Sequence, residues 1–358
     1  KPKKLSFKPI AVLAFLILFS VDAFSQQSIS LEDAIQKALQ NNNQLKNEQL
    51  KTAYSKALIK TATDIPQTNL IGEYGQINSI YNDTKFGVSQ SIAFPTVYQR
   101  QKQLITQDYQ ASLLSFKVKE QEVKKLVTQV FYNFIYLKEK EKLLLLADTL
   151  YNNFYEKAKL RLQKGESNIL EKSTAETQKT AIAIQLKQLQ TEIEIVRLEF
   201  QLLLNSEEAF LPEEAVLKAV LEENKIEENP QLKLFEHQKK IFSAETSALK
   251  SKLLPEIIMG YNNNSFKGIG LDDAKRFHSL QVGLGIPLFG GSQKAKINAS
   301  KLAEKLAESN YQTQVLNLKN EYNKLMVQHK ANLEIVNYFE TLNNKNSKTI
   351  TDVANKQF

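Results

Sequence analysis

The sequence contains no cysteine and no tryptophan, and its three histidines are widely separated, at positions 237, 278 and 329. Without cysteine the chain can form no disulfide, no thiolate metal site, no cysteine nucleophile and no lipid-modified amino-terminal cysteine. The isolated histidines predict neither a histidine metal cluster nor a histidine-based catalytic triad. The sequence also lacks a paired-carboxylate or phosphate-loop pattern, so we expect no enzymatic activity, no cofactor and no resident metal.

The positive charge of the chain is partly local. The formal net charge is +8, but residues 1–25 contain four lysines against one aspartate. Elsewhere the basic residues are interspersed with glutamate instead of collecting with aromatic residues, as they do on nucleic-acid-binding surfaces. We therefore expect no nucleic-acid partner, and the remaining charge is ordinary for solubility.

The amino terminus combines a basic flank with a short apolar run. Four lysines in residues 1–8 precede thirteen apolar or small residues from Pro9 to Val21, and Ala23 and Ser25 then form a signal-peptidase-like exit. This pattern predicts a secretory signal peptide over residues 1–25. A membrane anchor is the alternative, but thirteen residues rise only about 20 Å as a helix, short of a ~30 Å hydrocarbon core. Because the chain begins with lysine, a linker at a fusion junction stays open as a third interpretation.

Glycine and proline are scarce and unevenly distributed. Ten of the 11 glycines fall in two blocks, roughly 66–95 and 255–291, and each block is bracketed by prolines. The stretches outside the blocks are rich in lysine, glutamate, glutamine, leucine and alanine, which predicts long helices. Residues 97–163 and 293–358 should each form one helix, reaching about 100 Å at about 1.5 Å per residue.

The first of these long stretches has the spacing of a packed helical seam. From Tyr109 to Leu137 apolar residues recur at alternating intervals of four and three, and Glu120 is the single exception in the series. Such spacing is typical of a helix that supercoils against a neighbour. Helices far longer than the ~11–12-residue globular mean favour a tube or a spacer over a compact domain.

The two glycine blocks alternate with a period of two residues, which is typical of strands. Each block predicts a strand, a polar loop and a second strand, at about 67–77 and 85–94 in the first block and 256–264 and 278–287 in the second. Strands with one apolar face and one small or polar face suit an outer-membrane barrel, although a soluble hairpin stays open as an alternative. Four strands cannot close a barrel, so the barrel hypothesis requires an oligomer. The residues predicted to face lipid are Phe86, Val88, Ile92, Leu280, Val282, Leu284 and Ile286.

The order helix, hairpin, long helix occurs twice in the chain. Asn43–Lys46 recurs as Pro230–Lys233, and Ala158–Leu162 corresponds to Ala354–Phe358, so the offset drifts only from 187 to 196 residues. This predicts a duplication with a first repeat at 26–204, an equatorial connector at 205–229 and a second repeat at 230–358. The second repeat stops before the counterpart of Gly165, so we expect it to be truncated at its carboxyl end.

These features together resemble the outer membrane efflux protein family, the TolC-like channels, over essentially all of residues 28–358. The most specific segments are Ser30–Asn42, Ala158–Ser167 and Val282–Gly291. The resemblance implies a mainly α fold with a small transmembrane β part. Three copies would contribute twelve strands to one outer-membrane β-barrel, and their helices would form a periplasmic α-helical barrel.

The resemblance also implies a function and partners. The chain would be the outer-membrane channel of a tripartite efflux system, a passive exit duct in the outer membrane and periplasm of a Gram-negative bacterium. Its partners would be the other copies of a homotrimer, outer-membrane lipid, a periplasmic adaptor (membrane fusion protein) and an inner-membrane pump of the resistance–nodulation–division (RND) type. The lysine-rich start resembles the junction of a heavy-metal RND pump fused to its channel, which makes heavy-metal cations the more specific cargo hypothesis.

Individual residues receive roles through the same resemblance. The turn between the long helices would be the adaptor-docking tip, whereas a simple helix cap without a partner is the alternative. The gate residues would fall beyond Phe358, and we expect no gating role for Glu171. From the residues themselves, Ser30 and Asp33 predict a capping box at the first helix, and Gly165 predicts a tight helix–helix turn. The docking tip comprises Leu162, Gln163, Lys164, Gly165, Glu166 and Ser167.

A competing hypothesis is a periplasmic coiled-coil adaptor or scaffold that never enters a membrane. An adaptor would carry one long helical hairpin flanked by β-rich domains. Two hairpins of strands, each set between long helices, are the feature that separates the channel hypothesis from this alternative.

Overall fold

The computed structural model describes residues 27–78, 80–206, 208, 210–214, 226–266, 275–343 and 346–349. The predicted signal or linker segment at 1–25 lies outside these ranges, and so do much of the predicted connector and the last residues of the second repeat. The helices are α1 (Leu31–Asn41), α2 (Asn43–Leu58), α3 (Pro95–Gln163), α4 (Ile169–Leu204), α5 (Pro230–Ser251) and α6 (Gly291–Tyr338). The strands are β1 (Gln27–Ile29), β2 (Asn69–Gly75), β3 (Asp83–Ala93), β4 (Phe210–Pro212), β5 (Glu256–Phe266) and β6 (Lys275–Gly285).

The long helices form where glycine and proline are absent. α3 is one helix of 69 residues, about 100 Å at a rise of ~1.5 Å per residue, which confirms the first helix prediction. Pro95 begins it, since the fixed φ of proline suits the first helical turn. α6 is α-helical to Tyr338 and continues as a π turn over Phe339–Asn343. The described part of the chain contains no helix that is long and apolar enough to cross a membrane.

The described residues up to Gln49 and from Val118 to Glu214 form one compact unit. Its core lies where α3 packs against α1, α4 and the short strands β1 and β4. A second cluster joins α3 to α4 further along both helices. The first cluster contains Ala34 and Ala38 of α1, Val123, Val127, Phe131 and Ile135 of α3, Phe200 and Leu204 of α4, and Ile29 and Phe210 of the strands.

The two short strands of this unit were not anticipated from the sequence. β1 and β4 pair in parallel, with Gln27 opposite Phe210. α1 begins directly after β1 with the predicted cap: the Ser30 hydroxyl accepts the Asp33 backbone N–H at 3.2 Å and donates to the Asp33 carboxylate at 2.7 Å. The Ser30 half of the predicted capping box is therefore present, and this side-chain cap fixes where the chain turns from strand into helix.

The described residues within 50–117 and 226–349 form the second compact unit. It contains an antiparallel sheet in the order β2-β3-β5-β6, so the hairpins of both repeats join through the β3–β5 pair. β3, β5 and β6 extend the predicted strands toward the hairpin ends, since β3 begins at Asp83, β5 reaches Phe266 and β6 begins at Lys275, whereas β2 is shorter than the predicted strand. α5 and α6 pack beside each other in this unit, where the buried hydroxyls of Thr246 and Ser300 lie 2.9 Å apart.

Candidate functional site: the faces of the sheet and the helical tip

The register of the sheet collects its apolar side chains on one face. Residues directly opposite each other in a sheet point to the same side, and the side alternates along each strand. One such row joins Leu70, Val88, Tyr261 and Leu280 across all four strands. We call this side the apolar face; its apolar members are Leu70, Tyr74, Phe86, Val88, Ile92, Ile257, Met259, Tyr261, Leu280, Val282 and Leu284.

Much of the apolar face is exposed in the single chain. Leu280 is 86% exposed and Val282 is 79% exposed, and both lie on the edge strand β6. Large contiguous apolar surfaces are rare on soluble monomers and mark contacts with membranes or other proteins. The exposed part of this face is therefore suited to contact with a membrane or with another protein.

The opposite side of the sheet, the polar face, has a different composition. Ser89, Gly260 and Gln281 form one row of it, and Lys85 forms an ion pair with Glu73 at 3.4 Å at another position. Its apolar exceptions are Ile71, Ala93, Ile258, Phe266 and Phe277, the last two in edge-to-face contact near the hairpin end. Most residues of this face are polar or glycine, so the face suits contact with water.

Six of the seven residues predicted to face lipid lie on strands of the apolar face, and Ile286 follows the last residue of β6. Gln90 is a polar residue on the apolar face, and nearby residues form hydrogen bonds with its side-chain amide. Its amide nitrogen donates to the Pro66 carbonyl at 2.8 Å, and its amide oxygen accepts the Thr68 hydroxyl at 2.6 Å. These bonds remove the need for water at a polar group on an apolar surface.

Within the part of the chain that the structure describes, the sheet has two unpaired edges. β2 and β6 each have one neighbour, and the strands alternate in direction from β2 to β6. The outer backbone groups of such strands can pair with another chain. Because the directions alternate, β6 of one copy can add antiparallel to β2 of the next.

The predicted tip is a tight turn between α3 and α4. The Glu166 N–H donates to the Arg161 carbonyl at 2.9 Å, and the Gly165 N–H donates to the Leu162 carbonyl at 3.1 Å. This pair of bonds is the Schellman motif, which requires a left-handed residue after the helix. Gly165 supplies it with φ at +72°.

A charged network that sequence reasoning missed joins the two sides of the tip. The Arg161 guanidinium donates to one oxygen of Glu171 at 2.8 Å, and the Ser167 hydroxyl donates to the other. The Asn168 side chain caps α4 by accepting the Glu171 backbone N–H at 3.0 Å. The pattern Asn-x-x-Glu was visible in the sequence as a capping signal, whereas the pairing with Arg161 depends on the geometry of the turn.

Exposed apolar residues adjoin the tip. Ile169 is 63% exposed and Leu170 is 71% exposed in the first turn of α4. The predicted tip residues Leu162 and Gln163 end α3, and residues 164–167 form the turn itself. The tip therefore offers an ordered turn beside two uncovered apolar side chains.

The packing of α3 against α5 perturbs one carboxylate. Burial and the neighbouring Glu245 raise the pKa of Asp108, whereas the nearby His237 lowers it, and the net direction is upward. The His237 ring nitrogen Nε2 lies 3.0 Å from the Gln107 carbonyl. Across the residues that the structure describes, no group of three or more histidine, aspartate or glutamate side chains is arranged to hold a metal ion.

No protein-family model matches the sequence, and no curated protein matches it. The fold, in contrast, is similar to solved bacterial membrane proteins. A membrane protein from Pseudomonas aeruginosa is similar with a TM-score of 0.76 and 16% identity, over 94% of this chain and 84% of that chain. The Campylobacter jejuni CmeC outer membrane channel has a TM-score of 0.71 and 16% identity, over 91% of this chain and 76% of that chain.

A third similar structure is the outer membrane protein VceC from Vibrio cholerae, with a TM-score of 0.71 and 12% identity. The match covers 91% of this chain and 85% of that chain. These comparisons show the fold: the chain folds like the outer-membrane channels among these structures. The predicted mainly α class with a small strand part is confirmed.

Proposed function

We propose that this protein is the outer-membrane channel component of a tripartite efflux system. The sheet carries the proposal, because it combines an exposed apolar face, a polar face and two unpaired edges. Three copies joined from β6 to β2 would form a closed antiparallel barrel of twelve strands, and closure removes the open edges that a membrane does not tolerate. The apolar face would contact lipid, and the polar face would line a water-filled lumen.

The strand lengths support a span of the membrane. β5 and β6 contain 11 residues each, and a transmembrane strand needs about 9–11 tilted residues. At about 3.3 Å per residue and a tilt near 40°, such a strand covers the ~25 Å height of an outer-membrane apolar band. The long helices would then lie in the periplasm of a Gram-negative bacterium.

The partners follow from this placement. We assign Leu162–Ser167 to docking with a periplasmic adaptor, and we add Ile169 and Leu170 because they expose apolar surface beside the turn. The adaptor would connect the channel to an inner-membrane RND-type pump, which delivers the cargo. The channel itself would act passively and without catalysis. The alternative of a soluble adaptor is disfavoured, because it leaves the exposed apolar face of the sheet without a role.

As the more specific cargo we propose heavy-metal cations, on the resemblance of the amino-terminal junction alone. A deletion strain should then become sensitive to a panel of metal salts, and a plasmid copy of the complete gene should restore resistance. Sensitivity to dyes and detergents with unchanged metal tolerance would contradict this cargo and leave the channel function intact.

The membrane placement is tested by two lysine substitutions at neighbouring positions of β6. Val282 lies on the apolar face and Gln281 on the polar face. Lysine on a lipid-facing strand near the bilayer midplane costs about 2–4 kcal/mol, whereas lysine in an aqueous lumen does not. Val282→Lys should therefore strongly reduce the amount of trimer in outer-membrane fractions, and Gln281→Lys should leave it near the wild-type amount. Equal behaviour of the two variants would reject the barrel.

A further inference from the structure

The hairpin end of the apolar face carries a polar cluster that the channel function does not use. The cluster lies on β5 and β6, where Asn263 is opposite His278 and Ser265 is opposite Arg276. These two rows follow the row of Tyr261 and Leu280 on the same side of the sheet. The cluster is therefore continuous with the apolar face and lies at its far end from α5 and α6.

Hydrogen bonds hold the cluster in one arrangement. An Arg276 N–H donates to the Asn263 amide oxygen at 2.8 Å, and the Asn263 amide nitrogen lies 3.2 Å from His278 Nδ1. The Tyr261 hydroxyl lies 2.5 Å from the same Nδ1, and the two rings stack with their centroids 5.9 Å apart. Because an amide nitrogen can only donate, Nδ1 is the acceptor and the proton of the neutral ring is on Nε2.

The groups that the cluster can offer to a ligand are hydrogen-bond donors. Among the described residues, His278 Nε2–H has no hydrogen-bond partner, and one N–H of the Arg276 guanidinium is used, in the bond to Asn263. In the described residues no carboxylate lies within ion-pair distance of Arg276. A guanidinium and a second donor at a fixed spacing suit the oxygens of a phosphate group, which Arg binds in a bidentate manner.

We propose that Arg276 and His278 bind the phosphate of a lipid headgroup at the outer rim of the barrel. The lipid is favoured over a free anion because the same face continues into Leu280 and Val282, on which acyl chains can pack. Charged heads at the level of the headgroups and apolar groups below them match the depth profile of a membrane. The inference rests on the proposed function, since the apolar face meets lipid only if the barrel forms.

The neighbouring residue offers a matched control. Lys275 precedes Arg276 on β6, is exposed, and lies on the opposite face of the sheet. Lys275→Gln removes the same charge at the same height, but from the polar face. If positive charge raises lipid affinity in general, both variants should bind the lipid more weakly. If the lipid binds at a site on the apolar face, only Arg276→Gln should bind it more weakly.

The experiment measures lipid retention by purified trimers in detergent, by native mass spectrometry. The probe is diphosphorylated lipid A, compared with the same lipid after removal of its phosphates and with inorganic phosphate as competitor. We expect the double variant Arg276→Gln/His278→Gln to bind diphosphorylated lipid A about 10-fold more weakly than wild type. The variant loses the charge-assisted hydrogen bonds of Arg276 and the neutral hydrogen bond of His278 to the phosphate. We expect Lys275→Gln to stay near the wild-type affinity and the dephosphorylated lipid to be insensitive to all variants.

Three outcomes overturn the inference: equal binding by wild type and double variant, equal loss in Lys275→Gln, or displacement of the lipid by millimolar inorganic phosphate alone. If the double variant does not assemble, Arg276→Lys decides, because it keeps the charge and removes the bidentate fork. Unchanged binding by Arg276→Lys and by His278→Gln also overturns it. A wild-type chain that forms no membrane-inserted trimer refutes the proposed function instead, and trimer formation is scored before any lipid is added.

Discussion

At the scale of single residues, Gly165 is required by its backbone angle and not by crowding. Its φ is +72°, and a Cβ added there would meet no atom within 4 Å. A β-branched side chain resists this conformation by about 1–2 kcal/mol, whereas asparagine adopts it readily. A substitution at this position therefore tests the backbone conformation alone, because a larger side chain meets no steric obstacle.

This conformational requirement makes a prediction about docking. Gly165→Val should loosen the Schellman turn and displace the start of α4, so cross-linking to the adaptor and efflux should both fall strongly. Gly165→Asn should behave nearly as wild type, because asparagine keeps the turn. The amount of trimer in the outer membrane, measured in the same cells, should be unchanged in both. Normal efflux by Gly165→Val at normal protein levels would reduce Gly165 to a helix cap.

Asp108 makes a prediction about pH. Its pKa is raised above the ordinary value of 3.8 by burial and then by Glu245, against a lowering by His237. Between 3.8 and the raised pKa the folded state binds more protons than the unfolded chain, so its stability falls as pH rises through that window. Above the window the destabilisation is fully present, and below pH 3.8 it is absent.

Asp108→Asn should therefore stabilise the protein at neutral pH, by less than about 1 kcal/mol, because the carboxylate is only partly buried and solvent screens its interactions. The difference in thermal unfolding temperature between the variant and wild type should shrink on acidification. It should vanish near pH 3.5, about 0.3 below the ordinary pKa, where the carboxyl is mostly protonated in both the folded and the unfolded chain. In a Glu245→Gln background the advantage should be smaller, since one of its two causes is gone. An advantage that is constant with pH, or grows in acid, contradicts this account.

At the scale of elements, the composition of the sequence predicted the long helices, but it did not predict which of their residues are buried. Val123, Val127, Phe134 and Leu137 of the predicted seam are buried, as expected. Phe131 and Ile135 are also buried and lie outside the seam. A seam of alternating fours and threes describes one neighbour, whereas α3 packs against α1, α4 and two short strands, which requires a wider apolar stripe.

The positions of the strands were likewise predictable from neighbouring residues, whereas the pairing of the strands was not. Alternation located all four strands of the sheet to within a few residues, because period two is a local property. It could not reveal that β3 pairs with β5, since that pairing joins residues distant in the sequence, such as Ser91 and Ile258. Nor could it show that Pro66 and Thr68 form hydrogen bonds with Gln90, the polar residue among the apolar side chains of β3.

The tip illustrates which part of a site is readable in advance. Gly165 was recognisable because an isolated glycine between two long helical stretches is typical of a helix end that needs a left-handed residue. The ion pair of Arg161 with Glu171 was not, because ten positions separate the two residues and only the turn brings them together. The exposure of Ile169 and Leu170 was hidden for a similar reason: an apolar residue in a helix is ordinarily assumed to be covered.

At the scale of the whole molecule, the single chain leaves two requirements unmet. The edges of the sheet on β2 and β6 need backbone partners, and its apolar face needs an apolar environment. A cyclic trimer meets the first requirement with one interface repeated three times, because β6 and β2 present different surfaces and therefore pair head to tail. A lipid bilayer meets the second requirement only when the barrel is closed.

The absence of native cysteine allows this assembly to be tested without background. Ile71 of β2 lies on the polar face, as do residues 277, 279, 281 and 283 of β6. We predict that Ile71→Cys, combined in turn with a cysteine at each of the four β6 positions, will give disulfide-linked trimers for the one or two pairs that are opposite in the barrel. Non-reducing gels of oxidised membranes report the result.

The pattern across the panel is more informative than any one band. A step of two residues shifts a cysteine by about 6.8 Å along its strand, and neighbouring strands are about 4.8 Å apart, so a pair one step out of register is separated by about 8 Å. A disulfide spans a Cα separation of about 4.4–6.8 Å, so only a narrow subset of the pairs can react. Random collision between chains would instead link all four pairs to similar extents, as well as the single-cysteine variants. A control pair of Ile71→Cys with Val282→Cys lies on opposite faces and should remain uncrosslinked. Monomer throughout the panel, in protein that has reached the membrane, would exclude pairing between β2 and β6 and with it the barrel.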